Sequence, residues 1–151
     1  MEIHETAILD ASVSKIWAAL NDPNVLKLCV PGCQEIRVID PNTYSAKAVI
    51  KVGFISSKFN DIKVKKTQSL ENQMLSFEMS GEDVNKIGSF KQELEVRLSE
   101  LNTDPQPKTN VEIKASVDLK GKFATLGKRI VEWKAKQVTG EFVDNLRNVT
   151  K

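Results

Sequence analysis

"VEIKASVDL", Val111 to Leu119, and "GKFATLGKRIVEWKAKQVTGEFVDNLRN", Gly121 to Asn148, together decide how this chain folds. In the first segment Val111, Ile113, Ala115, Val117 and Leu119 fall on one side and mostly polar residues on the other, the two-residue period of a half-buried strand. The second carries the three-and-four spacing of one long helix opened by Gly121. A strand that feeds directly into a single terminal helix of this length implies a sheet closed by one lid, and such a lid can enclose a cavity.

Upstream, the same alternation repeats. Phe90, Leu94, Val96 and Leu98 point one way while Lys91, Glu93, Glu95 and Arg97 point to water. Tyr44, Ala46, Ala48, Ile50 and Val52 do likewise against Lys47 and Lys51, so one face of the sheet is wet and the other covered. Further strands are expected at Ile3 to Leu9, Glu35 to Ile39, Lys58 to Lys66 and Gln73 to Met79. "DPN" at Asp40 to Asn42 and "ENQ" at Glu71 to Gln73 read as hairpin turns, which makes the sheet a long antiparallel meander. "NTDPQPKT", Asn102 to Thr109, is expected to be a surface loop. Between the first two strands Ser12 caps a helix through Val13, Ile16, Trp17 and Leu20, and Asp22 with Pro23 starts a second reaching Leu28.

Length and composition bound the possibilities. A chain of 151 residues with 40% hydrophobic content builds one sizeable core, and residues 1–151 are read as a single domain. No apolar run approaches the roughly 20 residues that cross a bilayer, and "MEIHETAILD" lacks the regions of a signal peptide, so the expected location is cytoplasmic. Net charge is only +2, and nucleic acid is not an expected partner. Yet Lys114 to Lys136 holds seven Lys or Arg against Asp118 and Glu132, a local excess that suits an acidic partner or anionic lipid unless it is simply solvated.

The terminal helix is apolar around much of its circumference. Phe123, Leu126, Ile130 and Trp133 form one stripe; Ala124, Val131, Ala135, Val138, Phe142 and Leu146 form a second beside it. Lys122, Lys128, Arg129, Lys136 and Arg147 gather on the opposite side. So broad an arc is expected where a curved sheet wraps the helix or where part of it meets an apolar ligand.

Catalysis has little to stand on. The only histidine, His4, lies in the first strand, and neither a phosphate-binding glycine loop, a nucleophile motif nor a metal-ligand set is visible. Cys29 and Cys33 flank Val30, Pro31 and Gly32 at a spacing unlike a redox pair, and are read as reduced thiols in a turn, with a redox or disulfide role as the alternative. No catalytic residue, metal or cofactor is assigned.

Four stretches carry a resemblance: "IWAALNDP" at Ile16 to Pro23, "VPGCQEI" at Val30 to Ile36, "YSAKAVIKVGFISSKFNDIKV" at Tyr44 to Val64, and "ASVDLKGKFATLGKRIVEWKAKQVTGEFVDNL" at Ala115 to Leu146. The order of elements resembles the helix-grip fold of START-type and birch-pollen-allergen-type (SRPBCC) proteins, and the local patterns resemble the G subunit of carbon monoxide dehydrogenase. The resemblance implies an α+β fold: a curved antiparallel sheet, two short helices near the N-terminus and one long C-terminal helix. It also implies an accessory protein, linked to a molybdenum hydroxylase through membrane recruitment or through a quinone electron acceptor. Longer members carry a further C-terminal segment linked to membrane attachment; the sequence here runs to Lys151, and anchoring through such a tail is not expected of it.

The combined expectation is a cavity between sheet and lid that binds a hydrophobic small molecule such as a quinone or lipid. Its lining candidates are Phe54, Phe59, Phe77, Phe90, Phe123, Leu126, Ile130 and Trp133, because aromatic walls suit a flat or prenylated ligand. Lys122, Lys128, Arg129 and Lys136 are the candidate surface contact for an acidic enzyme or for a membrane to which the protein is peripheral. A protein-interaction or assembly factor with a filled core, and a small-molecule enzyme of polyketide-cyclase type, remain as alternatives.

Overall fold

In the structure, a computed structural model describing residues 1–102 and 105–151, seven strands form one antiparallel sheet. In chain order they are β1 (Glu2–Leu9), β2 (Cys33–Asp40), β3 (Thr43–Val52), β4 (Ile55–Leu70), β5 (Met74–Glu82), β6 (Gly88–Asn102) and β7 (Lys108–Gly121). They lie side by side as β1-β7-β6-β5-β4-β3-β2. Strands β2 to β7 are a meander, and β1 closes onto β7 with Ile3 opposite Ala115 and Leu9 opposite Thr109. The surface loop expected from Asn102 to Thr109 is narrower than that, since Asn102 ends β6 and Lys108 begins β7, and its residues 103 and 104 lie outside the described residues.

Because β1 and β2 occupy opposite edges, the chain between them must cross the whole sheet. Two helices make that crossing, α1 (Val13–Leu20) and α2 (Pro23–Cys29). Their starts follow from capping: Ser12 Oγ accepts from the Lys15 amide at 3.2 Å, and Asp22 Oδ1 accepts from the Asn24 amide at 2.9 Å with Pro23 in the first turn. The sheet curves round these helices and round α3 (Lys128–Val149), whose last turns pack on α1, α2 and β1. This is the helix-grip fold.

One detail of the terminal helix departs from the sequence pattern. The helical periodicity from Gly121 to Asn148 is not one helix: a short 3-10 turn (Lys122–Thr125) comes first, and α3 starts only after Gly127, which holds φ at +88°. A left-handed glycine resets the helical phase, so spacing extrapolated across it fails. Phe123 and Leu126 are buried, whereas Ile130 and Trp133 are 41% and 64% exposed. The stripe facing the sheet is the second one, with Val131, Ala135, Val138 and Phe142 half-buried and Leu146 fully so.

Among the described residues, buried side chains form two clusters rather than the single core expected of sheet and helix. The first joins Leu9, Ile16, Leu20, Leu75, Val96, Val111, Val143 and Leu146 where α1, α2 and the end of α3 meet the sheet. The second joins Ala46, Ala48, Ile55, Phe59, Ile62, Phe123 and Leu126 beside the 3-10 turn. Ile36 and Val64 pack against both.

The β5–β6 turn is fixed by a buried carboxylate. Asp83 accepts from Ser57 Oγ at 2.6 Å, from the Asn85 amide at 2.7 Å and from the Lys58 amide at 3.3 Å, which ties the turn to β4. The Ser57 hydroxyl, helped by the backbone amides, holds this carboxyl below its ordinary value of 3.8. A depressed folded value means stability that is present above 3.8 and lost as pH falls through the lower folded value. Denaturant midpoints of wild type and Ser57→Ala should therefore differ at neutral pH and converge in acid; a gap that stays constant down the acid limb would remove the carboxylate as the cause.

Candidate functional site

The second cluster is the candidate site because it combines aromatic packing with apolar surface left uncovered. Phe59 on β4 meets Phe90 on β6 edge to face, with centroids 5.3 Å apart at 86°, and Phe123 of the 3-10 turn at 6.0 Å. A β-bulge brings Phe59 inward: Ala48 pairs with Phe59 but Ala46 with Ile62, so β4 spends three residues against two on β3 and turns both Phe59 and Ile62 to the inside. Around this nest Ile50, Val52, Met79, Ile87, Phe90, Leu119 and Val131 are only half-buried. No side chain in the front part of α3, residues 128–142, is fully buried, so the helix covers this end of the sheet incompletely.

The eight lining candidates separate on this geometry. Phe59, Phe90, Phe123 and Leu126 come together; Phe77 is buried in the first cluster. Phe54 is 86% exposed in the turn between β3 and β4, and Ile130 and Trp133 face solvent. These three stand outside the cluster for two reasons: Gly127 shifts the phase of α3, and Phe54 sits at a hairpin tip. Lys122, Lys128, Arg129 and Lys136 are all exposed, with Lys128 3.7 Å from Glu132.

Three contributors were not singled out from sequence. An added Cβ at Gly81 would come within 2.9 Å of Phe90 and 3.2 Å of Phe59, and one at Gly88 within 2.7 Å of Phe123, so both glycines make room for the aromatic nest. A glycine inside a strand is the signal for such close approach. The third is Lys66. It pairs with Phe77 on β5 and so turns inward, where its Nζ donates to Asn21 Oδ1 at 2.8 Å between α1 and α2. Burial pushes its pKa down, and burial with the nearby Asp22 pushes the Tyr44 phenol up. Both groups lie by the junction of the two clusters.

Elsewhere the chemistry is modest. Cys29 and Cys33 are free thiols whose pKa values burial raises, the reverse of an activated nucleophile. His4 Nε2 lies 3.1 Å from Glu112 on the outer face of β1 and β7. Among the described residues, no group of three His, Cys, Asp or Glu side chains is placed to hold a metal, and no helix is long and apolar enough to cross a membrane. A hollow of about 630 Å³ lies on that outer face among His4, Ser76, Glu78, Glu93, Glu95 and Lys114. Its charged walls of Glu2, Glu78, Glu93, Glu95 and Lys114 and its open mouth do not suit a hydrophobic ligand, and we place the candidate site on the concave side.

Comparison with known proteins agrees with this architecture. A conserved protein from Geobacillus kaustophilus superposes with a TM-score of 0.90 at 22% identity, over 99% of this chain and 95% of its own. A START superfamily protein from Mycobacterium smegmatis gives 0.73 at 14% identity, over 99% and 96%. Truncated norcoclaurine synthase from Thalictrum flavum gives 0.67 at 12% identity, over 99% and 92%. At these identities the likeness is one of fold. No curated protein matches the chain by sequence. The sequence pattern of one family, however, matches residues 8–150, nearly the whole chain: this protein belongs to the CoxG family, that of the G subunit of carbon monoxide dehydrogenase.

Proposed function

We propose that this chain is a non-catalytic accessory protein, one domain over residues 1–151, that binds a hydrophobic small molecule between the concave sheet and the front of α3. The observation that carries this reading is the aromatic nest of Phe59, Phe90 and Phe123 beside half-exposed Ile50, Val52, Leu119 and Val131, apolar surface that folding alone does not cover. A quinone or a prenyl or acyl lipid fits such walls. Inward-facing Lys66 and Tyr44 supply hydrogen-bond donors for a ligand oxygen at the far end, and Lys66 donates in either protonation state. Family membership supports the accessory role, and on this reading the protein served is a molybdenum hydroxylase in the cytoplasm. The exposed Lys122, Lys128, Arg129 and Lys136 are its candidate contact.

Native mass spectrometry of the purified protein should show a bound lipophile, and calorimetric titration with ubiquinone or menaquinone analogues should saturate. Ile50→Trp, which fills the open side of the nest, is expected to weaken binding at least about tenfold with little change in melting temperature. Trp133→Leu should leave affinity unchanged, since that ring faces away from the nest. No extracted lipophile and no heat with any analogue would remove the carrier reading and favour an assembly factor with a filled interior.

A further inference from the structure

Four lysines lie on β4, and three of them, Lys58, Lys63 and Lys65, point to water. Lys66 does not. After the β-bulge that turns both Phe59 and Ile62 inward, Val64 and Lys66 continue on the same concave face, and Lys66 pairs with Phe77 of the first cluster. Its Nζ donates to Asn21 Oδ1 at 2.8 Å, while Asn21 Nδ2 donates to the Trp17 carbonyl at 2.9 Å, so the asparagine holds the lysine in place and offers it no charge. Among the described residues no carboxylate lies within ion-pair distance of Lys66, which leaves a half-buried ammonium with one neutral acceptor for its three donors. A cation at an apolar face without a counter-charge costs free energy, and burial already pulls its pKa down.

Beside it stands a second donor without an acceptor. Tyr44 pairs with Val64, one inward step from Lys66, so the two side chains are diagonal neighbours on adjacent strands. Both also meet the corner between α1 and α2: Lys66 binds Asn21, and burial together with the charge of Asp22 raises the Tyr44 pKa and keeps the phenol protonated. The Asp22 carboxylate is itself engaged by the Asn24 amide. Tyr44 is 5% exposed, and its hydroxyl makes no hydrogen bond among the described residues. No buried side-chain polar atom there is both sealed and unpartnered, so the Tyr44 oxygen keeps an open side.

We propose that Lys66 and Tyr44 form a head-group subsite that selects a hydrophobic carboxylic acid, its ionised carboxylate on the two donors and its alkyl chain along Val64 and Ile62 towards Phe59. The proposal rests on the ligand-binding reading and narrows it to one class of ligand. Charge sets that class. One cation beside one neutral donor matches a single negative charge shared by two oxygens, whereas a doubly charged phosphate lacks a second cation and a neutral carbonyl leaves the ammonium uncompensated. Reach sets the chain length: Ile62, four residues from Lys66 and so about 13 Å along the strand at about 3.3 Å per residue, already belongs to the aromatic cluster. A long alkyl chain spans that distance and a short acid does not. Asn21 acts through Lys66 and is a positioning residue.

The test is calorimetric titration of the full chain at neutral pH with dodecanoate, methyl dodecanoate and a ubiquinone analogue. Dodecanoate should bind at least about tenfold more tightly than its methyl ester. In Lys66→Gln that preference for acid over ester should vanish, in Lys66→Arg it should persist, and Tyr44→Phe, which removes only an oxygen, should reduce it about threefold. Lys65→Gln, on the wet face of the same strand, should leave all three affinities unchanged. If Lys66 serves only to tie Asn21 to the sheet, Lys66→Gln will lower the melting temperature and leave the acid-to-ester ratio where it was, and that result would overturn the subsite. Should Lys66→Gln not fold, an undiminished ratio in Tyr44→Phe has the same meaning. Equal affinity of the wild type for acid and ester would also overturn the subsite while the ligand-binding reading stands; no heat with any of the three probes would overturn both.

Discussion

Leu146→Ala is expected to lower unfolding free energy by about 3 kcal/mol, within the 2 to 5 typical of a buried leucine, whereas Ile130→Asp should shift it by less than about 1 kcal/mol. The contrast follows from where the two side chains sit. Leu146 is 1% exposed where α3 meets α1, α2 and the sheet, so truncation leaves a void lined by residues of several elements. Ile130 belongs to the same helix and is 41% exposed, so a carboxylate there keeps its water. Chemical denaturation of both variants checks this; equal losses would mean that the front of α3 is clamped to the sheet as firmly as the back.

The second large effect is expected at Gly32, in the turn that leads from α2 into β2. Its φ is +79°, and an added Cβ would stand 2.3 Å from the Val49 carbonyl oxygen, a backbone atom held in the middle of β3. The Val49 amide in turn donates to the Gly32 carbonyl at 3.0 Å, so neither segment can yield without breaking the other. Gly32→Ala should therefore cost at least about 3 kcal/mol. Gly140→Ala in α3, where nothing lies within 4 Å of the new methyl group, is the matched control and should be neutral or stabilising. A Gly32→Ala protein with an unchanged denaturation midpoint would show that the turn has room the backbone geometry denies.

The strands were legible in sequence because each buries one face, and the meander because its turns carry Asp-Pro-Asn and Glu-Asn-Gln. The two N-terminal helices were legible from Ser12, Asp22 and Pro23, whose side chains and ring act locally. What failed was phase. A period of two does not reveal the extra residue that turns both Phe59 and Ile62 inward, nor does it mark Lys66 as inward-facing. A period of three and four does not reveal that Gly127 takes a positive φ, and with that the faces of Ile130 and Trp133 were inverted. Half of the lining candidates therefore meet in one nest, while the rest are divided between the other cluster and solvent. Gly81 and Gly88 could have been read as points of close approach, but which aromatics approach them is settled only by pairing across β4, β5 and β6.

The uneven burial of α3 also sets how its backbone opens. Val143, Leu146 and Thr150 are sealed in at its end, whereas residues 128–142 bury no side chain fully and begin at a left-handed glycine with no side-chain cap. Opening free energy should accordingly rise along the helix: amides of the first three turns exchange with solvent deuterium through cheap local excursions, and those of the last two only when the whole chain unfolds. The helix then works as a lever fixed at its far end. On the ligand-binding reading proposed above, a guest molecule entering beside Leu126 would have to lift only the loose arm, and the hydrophobic cluster around Leu9, Ile16 and Leu75 would stay intact while it did so.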